Sequence, residues 1–302
     1  ATFLGTYLQA LPFLLLGILL SSAIQVFVPA GLLQRIFPKN LLGGMLFGVL
    51  GGFLLPICDC ASIPVFRSLV RKGVPLPAAV TFMIAAPIIN PVVMLSTYYA
   101  FGANTRIMLT RMAFGVVCSL LIGLCFAWEK KSVLLAGAAA PVCACGCGHS
   151  HGEDGANARP GFYSRLQTLL THFREEFFEV ARFLLIGIGV STVLQLVMGS
   201  KLTGMDFSDL ALSMLVMMAL AFFLSLCSSS DAVVGRNMGT SLPLGAVMSF
   251  MVFGPMIDVK NLILMAGSFT KRFMIKLLIA TFIVSFATAY AAFSLGLGAL
   301  IS

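Results

Sequence analysis

An all-α polytopic membrane protein is the fold this chain predicts, on three observations. Hydrophobic residues fill 59% of the 302 positions and charged residues only 10%, whereas a soluble domain averages about 45–50% and 25%. Apolar runs of roughly 20 residues, enough to cross the hydrocarbon of a bilayer as helix, recur along nearly the whole chain. Stretches near the start of the sequence also return in its second half, so the fold is expected to consist of two homologous halves.

The apolar runs fall at Tyr7–Val28, Leu41–Ile57, Leu76–Phe101, Ile107–Trp128, Phe177–Met198, Phe207–Leu226, Pro243–Phe269 and Phe273–Leu300. They read as eight long transmembrane helices. Two short segments, about 61–72 and 232–240, follow breaks in the oily pattern and read as broken or re-entrant pieces. The first run is too long for the apolar core of a cleavable signal and lacks a basic segment before it. Residues 1–128 form the first membrane repeat, 129–174 a polar linker, and 175–302 the second repeat.

The repeat is explicit in the residues. Phe13-Leu-Leu-Leu-Gly-Ile-Leu-Leu-Ser-Ser-Ala-Ile-Gln25 matches Phe183-Leu-Leu-Ile-Gly-Ile-Gly-Val-Ser-Thr-Val-Leu-Gln195 with seven identities in thirteen positions. Pro75 to Asn90 matches Pro243 to Asp258, and between these blocks Cys58 and Arg67 match Cys227 and Arg236. If each short segment crosses or re-enters, every half has an odd number of crossings and the halves are inverted. Twelve Lys and Arg residues then lie on the linker side and four on the other (Arg106, Arg111, Lys201 and Arg236). That asymmetry predicts a multi-pass membrane protein with the linker cytoplasmic and both termini outside.

The formal charge of +8 does not point to nucleic acid, because the basic residues cluster at the ends of apolar runs and in the linker. The eight cysteines are not a secreted disulfide framework in so large and apolar a chain. Cys118 and Cys125, inside an apolar run, read as small core side chains. No phosphate-cradling loop and no Ser/His/Asp constellation stands out, so no enzyme is expected, and transport would draw on an ion gradient or a partner.

Chemistry concentrates where the helices break. Lipid does not tolerate irregular backbone unless protein or a water-filled cavity surrounds it, and interrupted helices in paired repeats are how many secondary transporters build a site near the midplane. The first break offers Cys58, Asp59, Cys60 and Ser62; the second offers Cys227, Ser228, Ser229, Ser230 and Asp231. Asn90 and Asp258 occupy equivalent places in the longer helices, and an ionisable group inside a span is a functional candidate by default. Together these are the expected substrate-binding residues, with thiols suited to a soft, thiol-seeking solute. The plainer reading is that serines and cysteines merely pack helices or bond to carbonyls, and that Lys260 neutralises Asp258. Gln25 and Gln195 read as interhelical hydrogen-bonding amides, and Arg67 and Arg236 either attract an anion or anchor to headgroups.

The linker carries Cys143-Ala-Cys145-Gly-Cys147-Gly-His149-Ser-His151, a dense soft ligand set for a metal ion such as zinc, copper or arsenic(III). It lacks the paired C-x₂-C spacing of a folded zinc module, and a loose tail with incidental affinity fits equally well.

At Pro56-Ile-Cys-Asp-Cys-Ala-Ser-Ile-Pro64, followed by Ala-Ala-Pro-Ile-Ile-Asn-Pro91, the chain resembles the bacterial predicted-permease family that includes the ArsP-type trivalent organoarsenical efflux permeases. The resemblance covers both membrane halves. It implies an inner-membrane permease exporting organic arsenic(III) compounds, with Cys58, Cys60 and Cys227 suspected in handling them. The alternatives are a divalent-metal (zinc) permease supplied through the linker, and a membrane-anchored metal sensor or scaffold. No cofactor is required beyond a candidate soft metal ion at the linker. The expected partners are membrane lipid, a small-molecule or metalloid substrate, and either a second copy of the chain or a cytoplasmic metal-delivery protein.

Overall fold

The computed structural model describes residues 2–27, 31, 38, 40–55, 57–129, 162–198, 209–228, 230–238 and 242–296. The described chain is helical throughout and contains no strand. In the first half α1 is Thr2–Phe27, α2 Leu41–Leu54, α3 Asp59–Arg71, α4 Leu76–Ile89, α5 Pro91–Ala100 and α6 Thr105–Cys125. The second half supplies α7 (Phe162–Met198), α8 (Leu210–Leu224), α9 (Asp231–Met238), α10 (Leu244–Met256), α11 (Val259–Ala266) and α12 (Lys271–Ser294). Among the described residues, each half of the sequence supplies six helices.

Among the described residues, four segments are long and apolar enough to cross a membrane: Leu76–Ala100, Thr105–Cys125, Leu244–Ala266 and Lys271–Ser294. Of the eight expected runs, those beginning at Leu76 and Pro243 are each divided into two helices, at Asn90 and at Ile257–Asp258. The helix expected from Phe177 begins fifteen residues earlier, at Phe162, so the last part of the segment read as linker is helical. Tyr163, Leu166, Leu169, Leu170 and Phe173 supply the apolar periodicity there, and Leu169 is buried. His172 lies exposed on the same helix.

Burial sorts the helices into an inner and an outer set. Every residue of α4 and nearly every residue of α3 and α10 is buried. Around them, α2 and α12 turn apolar stripes outward: Leu42, Leu46, Leu50 and Leu54 on one, Ile275, Ile279 and Ile283 on the other, spaced four residues apart. Contiguous exposed aliphatic faces of that kind belong against hydrocarbon. A polar helix such as α3, with Asp59, Ser62, Arg67 and Ser68, is kept from lipid by the helices around it.

Small residues bring α2 against α4. A Cβ added at Gly48 would lie 2.5 Å from the carbonyl oxygen of Ala78. Glycine costs about 1 kcal/mol against alanine inside a helix, and close backbone approach is what membrane helices gain from it. On the far side of the core, α6 and α12 lie side by side and run in opposite directions. Phe114 stacks on Phe293 at 6.0 Å between ring centroids, whereas Phe126, just past the end of α6, meets Phe273 near the start of α12 at 5.4 Å.

Side chains cross between the halves in matched fashion. Arg67 of α3 donates to Ser268 Oγ, just past α11, at 3.3 Å. Its counterpart Arg236 of α9 lies over the ring of Phe101, just past α5, at 5.9 Å. Of the two sequence readings for these arginines, headgroup anchor or anion attractor, the geometry adds a third function, which is joining the halves.

Candidate functional site

Among the described residues, the backbone breaks within or beside apolar runs at four places, two in each half. Leu55 precedes a proline and is extended (φ −95°, ψ 117°), because the proline ring disfavours helix for the residue before it. Cys58 is extended as well (φ −80°, ψ 173°), and α3 starts at Asp59. Asn90 also precedes a proline, is extended, and accepts the Val93 N–H at 2.9 Å as the cap of α5. In the second half no proline acts. Ser225 takes the left-handed conformation (φ 47°, ψ 49°), a state that costs a non-glycine residue of order 1–3 kcal/mol. Asp258 is extended and caps α11, accepting the Asn261 N–H at 2.6 Å.

Each pair of breaks is tied together. The Asn90 amide donates to the carbonyls of Ile57 at 3.1 Å and Ala86 at 2.9 Å, so both ends of that side chain hold backbone. In the second half the Ser225 hydroxyl accepts the backbone N–H of Lys260 at 3.4 Å.

Two buried ion pairs then join the halves. The Lys260 ammonium lies 2.7 Å from Asp59 Oδ2 and 3.6 Å from Asp258 Oδ2, and the side chains of all three are at most 2% exposed. Arg111, from the interior of α6, reaches Asp231 Oδ2 at 2.7 Å. Its guanidinium also donates to Thr97 Oγ1 at 2.8 Å and to the carbonyls of Met251 at 3.0 Å and Ser228 at 3.3 Å. The sequence reading counted Arg111 among the charges at the membrane surface; it is 1% exposed inside the protein. The plainer reading paired Lys260 with Asp258; that contact is present, and Asp59 of the other half is the closer partner.

The thiols sit at this junction. One donor atom from each of Cys58, Asp59 and Cys60 can be chosen so that all lie within 4.8 Å of one another, and all three residues are buried. Cys60 Sγ is 3.8 Å from Asp59 Oδ2, the oxygen that the Lys260 ammonium also touches. Cys227 is buried in the second break. None of the described cysteines forms a disulfide. Asp59 Oδ1, Asp231 Oδ1 and Asn261 Oδ1 are buried and accept no hydrogen bond among the described residues. Such an arrangement can hold a soft ion or metalloid between sulfur donors, with carboxylate oxygen beside them.

The sequence-predicted residues divide accordingly. Cys58, Asp59 and Cys60 form one cluster, joined across the halves to Asp258 through Lys260. Asp231 and the Ser228 carbonyl belong to the Arg111 grouping, and Ser62 turns its hydroxyl back to the Asp59 carbonyl at 2.8 Å. Ser230 lies in the turn that leads into α9. Ser229 and the linker residues Cys143, Cys145, Cys147, His149 and His151 lie outside the described residues, as do the side chains of Gln25 and Gln195. Sequence reasoning missed Arg111 as a site-building residue. The available signal was a cation flanked on both sides by apolar helix, the pattern that marks a functional or pairing role in a membrane span.

Comparison with known proteins agrees with a transport fold. The ArsP_1 family model, described as a predicted permease, matches residues 1–293. The chain is 40% identical over 283 residues to UPF0718 protein YcgR of Bacillus subtilis, covering 93% of this chain and 92% of that protein. It is 33% identical over 277 residues to a Streptococcus mutans protein named as a candidate subunit of a two-component membrane permease complex, covering 91% and 88% of the two. UPF0718 protein YraQ of Escherichia coli matches over 109 residues at 32% identity, covering 35% of this chain and 30% of that one. No solved structure matches. The two broken halves, joined by buried charges around a pair of thiols, are thus those of a membrane permease, and the chain belongs to the ArsP_1 predicted permease family.

Proposed function

We propose that this protein is a secondary permease of the cell inner membrane that exports soft, thiol-seeking solutes, with trivalent organoarsenicals as the leading cargo. The observation that carries the reading is the clustering of Cys58, Asp59 and Cys60 donors within 4.8 Å at the start of a buried half-helix. An organic arsenic(III) dihydroxide binds two thiols with balanced chemistry: two As–S bonds replace two As–O bonds, and each S–H proton leaves with a hydroxyl group as water. Carriage follows from alternating access, with the two halves rocking around the breaks and opening the thiols to one side and then the other.

The transmembrane arrangement belongs to the same proposal. Eight long spans and two short broken segments form inverted repeats, with the linker cytoplasmic. The opposite directions of the equivalent helices α6 and α12 support inversion. The charge asymmetry supports the orientation and is strengthened when Arg111 is removed from the outer count. The linker Cys and His residues offer metal contact on the cytoplasmic side, and the naming of the Streptococcus mutans relative as a complex subunit makes a partner protein or a second copy of the chain part of the proposal.

A second reading, a soft divalent cation such as zinc as cargo, is favoured by the Asp59 carboxylate within the same donor set. Uptake of methylarsenite and of zinc into everted vesicles tests both. Methylarsenite uptake that falls at least tenfold in Cys58→Ser and Cys60→Ser supports the leading reading. Equal uptake of either cargo by wild type and both variants would rule out the thiol site.

A further inference from the structure

We propose that Lys260 is a specificity-determining residue: its tethered ammonium takes a cation's place beside Cys58, Asp59 and Cys60, so the site admits neutral thiol-seeking solutes and turns away divalent cations. The inference rests on the thiol-site reading above and adds the selection rule.

The geometry supports it at three points. First, the ammonium contacts the ligand set itself. Its partner Asp59 Oδ2, at 2.7 Å, also lies 3.8 Å from the Cys60 sulfur. A divalent ion bound by that carboxylate would sit a few ångströms from a fixed positive charge, in surroundings where charges are poorly screened. A neutral arsenic(III) solute needs only the two sulfurs and leaves the ion pair intact.

Second, the lysine is held in place. Its backbone packs so closely on α7 that a Cβ at Gly187 would lie 3.2 Å from Lys260 Cα, and its N–H bonds to the Ser225 hydroxyl. Asp258 Oδ2, buried and accepting no hydrogen bond among the described residues, lies 3.6 Å from the ammonium. A second anion within reach keeps the charge in the protein and away from lipid.

Third, the lysine is not a product of the duplication. With Asn90 opposite Asp258, the position equivalent to Lys260 is Val92, whose side chain lies on the exposed surface of α5. The charge belongs to one half alone, as do the paired thiols it faces.

Cadmium and methylarsenite binding to the full-length protein in detergent tests the proposal. Each affinity is read as a difference against Cys58→Ser/Cys60→Ser, which cancels binding at the linker. In Lys260→Gln the site should bind cadmium at least tenfold more tightly than wild type, with methylarsenite affinity unchanged within about twofold, whereas Lys260→Arg should keep wild-type selectivity. If Lys260→Gln elutes as aggregate, Asp59→Asn/Lys260→Gln removes both charges, and its cadmium affinity should still exceed that of wild type. Cadmium affinity no higher than wild type in the monodisperse variant overturns the proposal, as does an equal shift for both probes. Methylarsenite binding that survives loss of both thiols instead overturns the underlying site.

Discussion

The two buried ion pairs that join the halves use the same chemistry for different ends. Arg111 and Asp231 form a many-armed clasp, in which one guanidinium donates to a carboxylate, a hydroxyl and two carbonyls. Lys260 and Asp59 form an open pair: the ammonium has one close carboxylate and a second at 3.6 Å, with thiols beside it. Arginine presents a rigid planar fork suited to several fixed partners, whereas lysine is a point charge on a flexible stem. A buried charge held by four fixed acceptors fixes how the halves meet, and one held mainly by a single oxygen leaves room for selection among solutes.

The contrast is broken most severely by removing the clasp. Arg111→Met leaves Asp231 as an uncompensated buried charge, and breaking such a pair costs about 3–5 kcal/mol of the 5–15 kcal/mol that stabilises a typical fold. A large drop in the thermal midpoint of detergent-purified protein is the expected outcome. Removing both partners, as Arg111→Met/Asp231→Leu, should restore much of it. An unchanged midpoint in the single variant would show that the clasp does not hold the halves.

Arg111→Lys sharpens the same comparison with a smaller effect. It keeps the charge and loses the fork, so one or two hydrogen bonds to carbonyl or hydroxyl disappear, at about 1 kcal/mol each. The midpoint should fall between those of wild type and Arg111→Met. On the other side, Cys58→Ser/Cys60→Ser should leave the midpoint within a few degrees of wild type while arsenical uptake falls at least tenfold. Equal losses of stability and uptake would make those thiols packing groups and nothing more.

The smallest effect belongs to an ion pair at the edge of the fold, Glu129 with Lys276, where the ammonium also lies 5.0 Å from the centre of the Phe126 ring. The lysine holds the Glu129 carboxyl below its usual range. The pair's contribution is therefore present above the ordinary glutamate pKa and is lost as pH falls through the lowered value. Exposed pairs contribute under about 1 kcal/mol, so Glu129→Gln should shift the midpoint barely at neutral pH and not at all in acid. A shift as large as that of Arg111→Met would remove the distinction between buried and peripheral charge.

Much of the fold was legible because membranes make the signals strong. Pro56 marked the first break and the Ser228-Ser-Ser run beside Cys227 its counterpart, whereas the breaks at Asn90 and Asp258 lie inside runs that read as single spans. Identities such as Phe13 to Gln25 against Phe183 to Gln195 carry the expectation of a repeat. The early start of α7 was harder to read, since residues 162–174 are amphipathic and look like linker when only hydropathy is weighed. Within the site, the thiols, Asp59, Asp231 and Asp258 were legible as polar groups out of place. What sequence could not give was pairing across the halves. Arg111 shows a charge but not its depth, and Lys260 stands two residues from Asp258 in the chain while its ammonium lies closer to Asp59. Those partners are chosen by how α6 and α11 pack, a long-range property that no local pattern encodes.

The most direct measurement is the arsenic X-ray absorption spectrum of methylarsenite bound to purified protein in which Cys143, Cys145 and Cys147 are serine. Two sulfur neighbours per arsenic, falling to one in Cys58→Ser and in Cys60→Ser, is the predicted result. Oxygen neighbours alone, or two sulfurs that persist when both of those cysteines are replaced, would contradict a cargo site built on the first break.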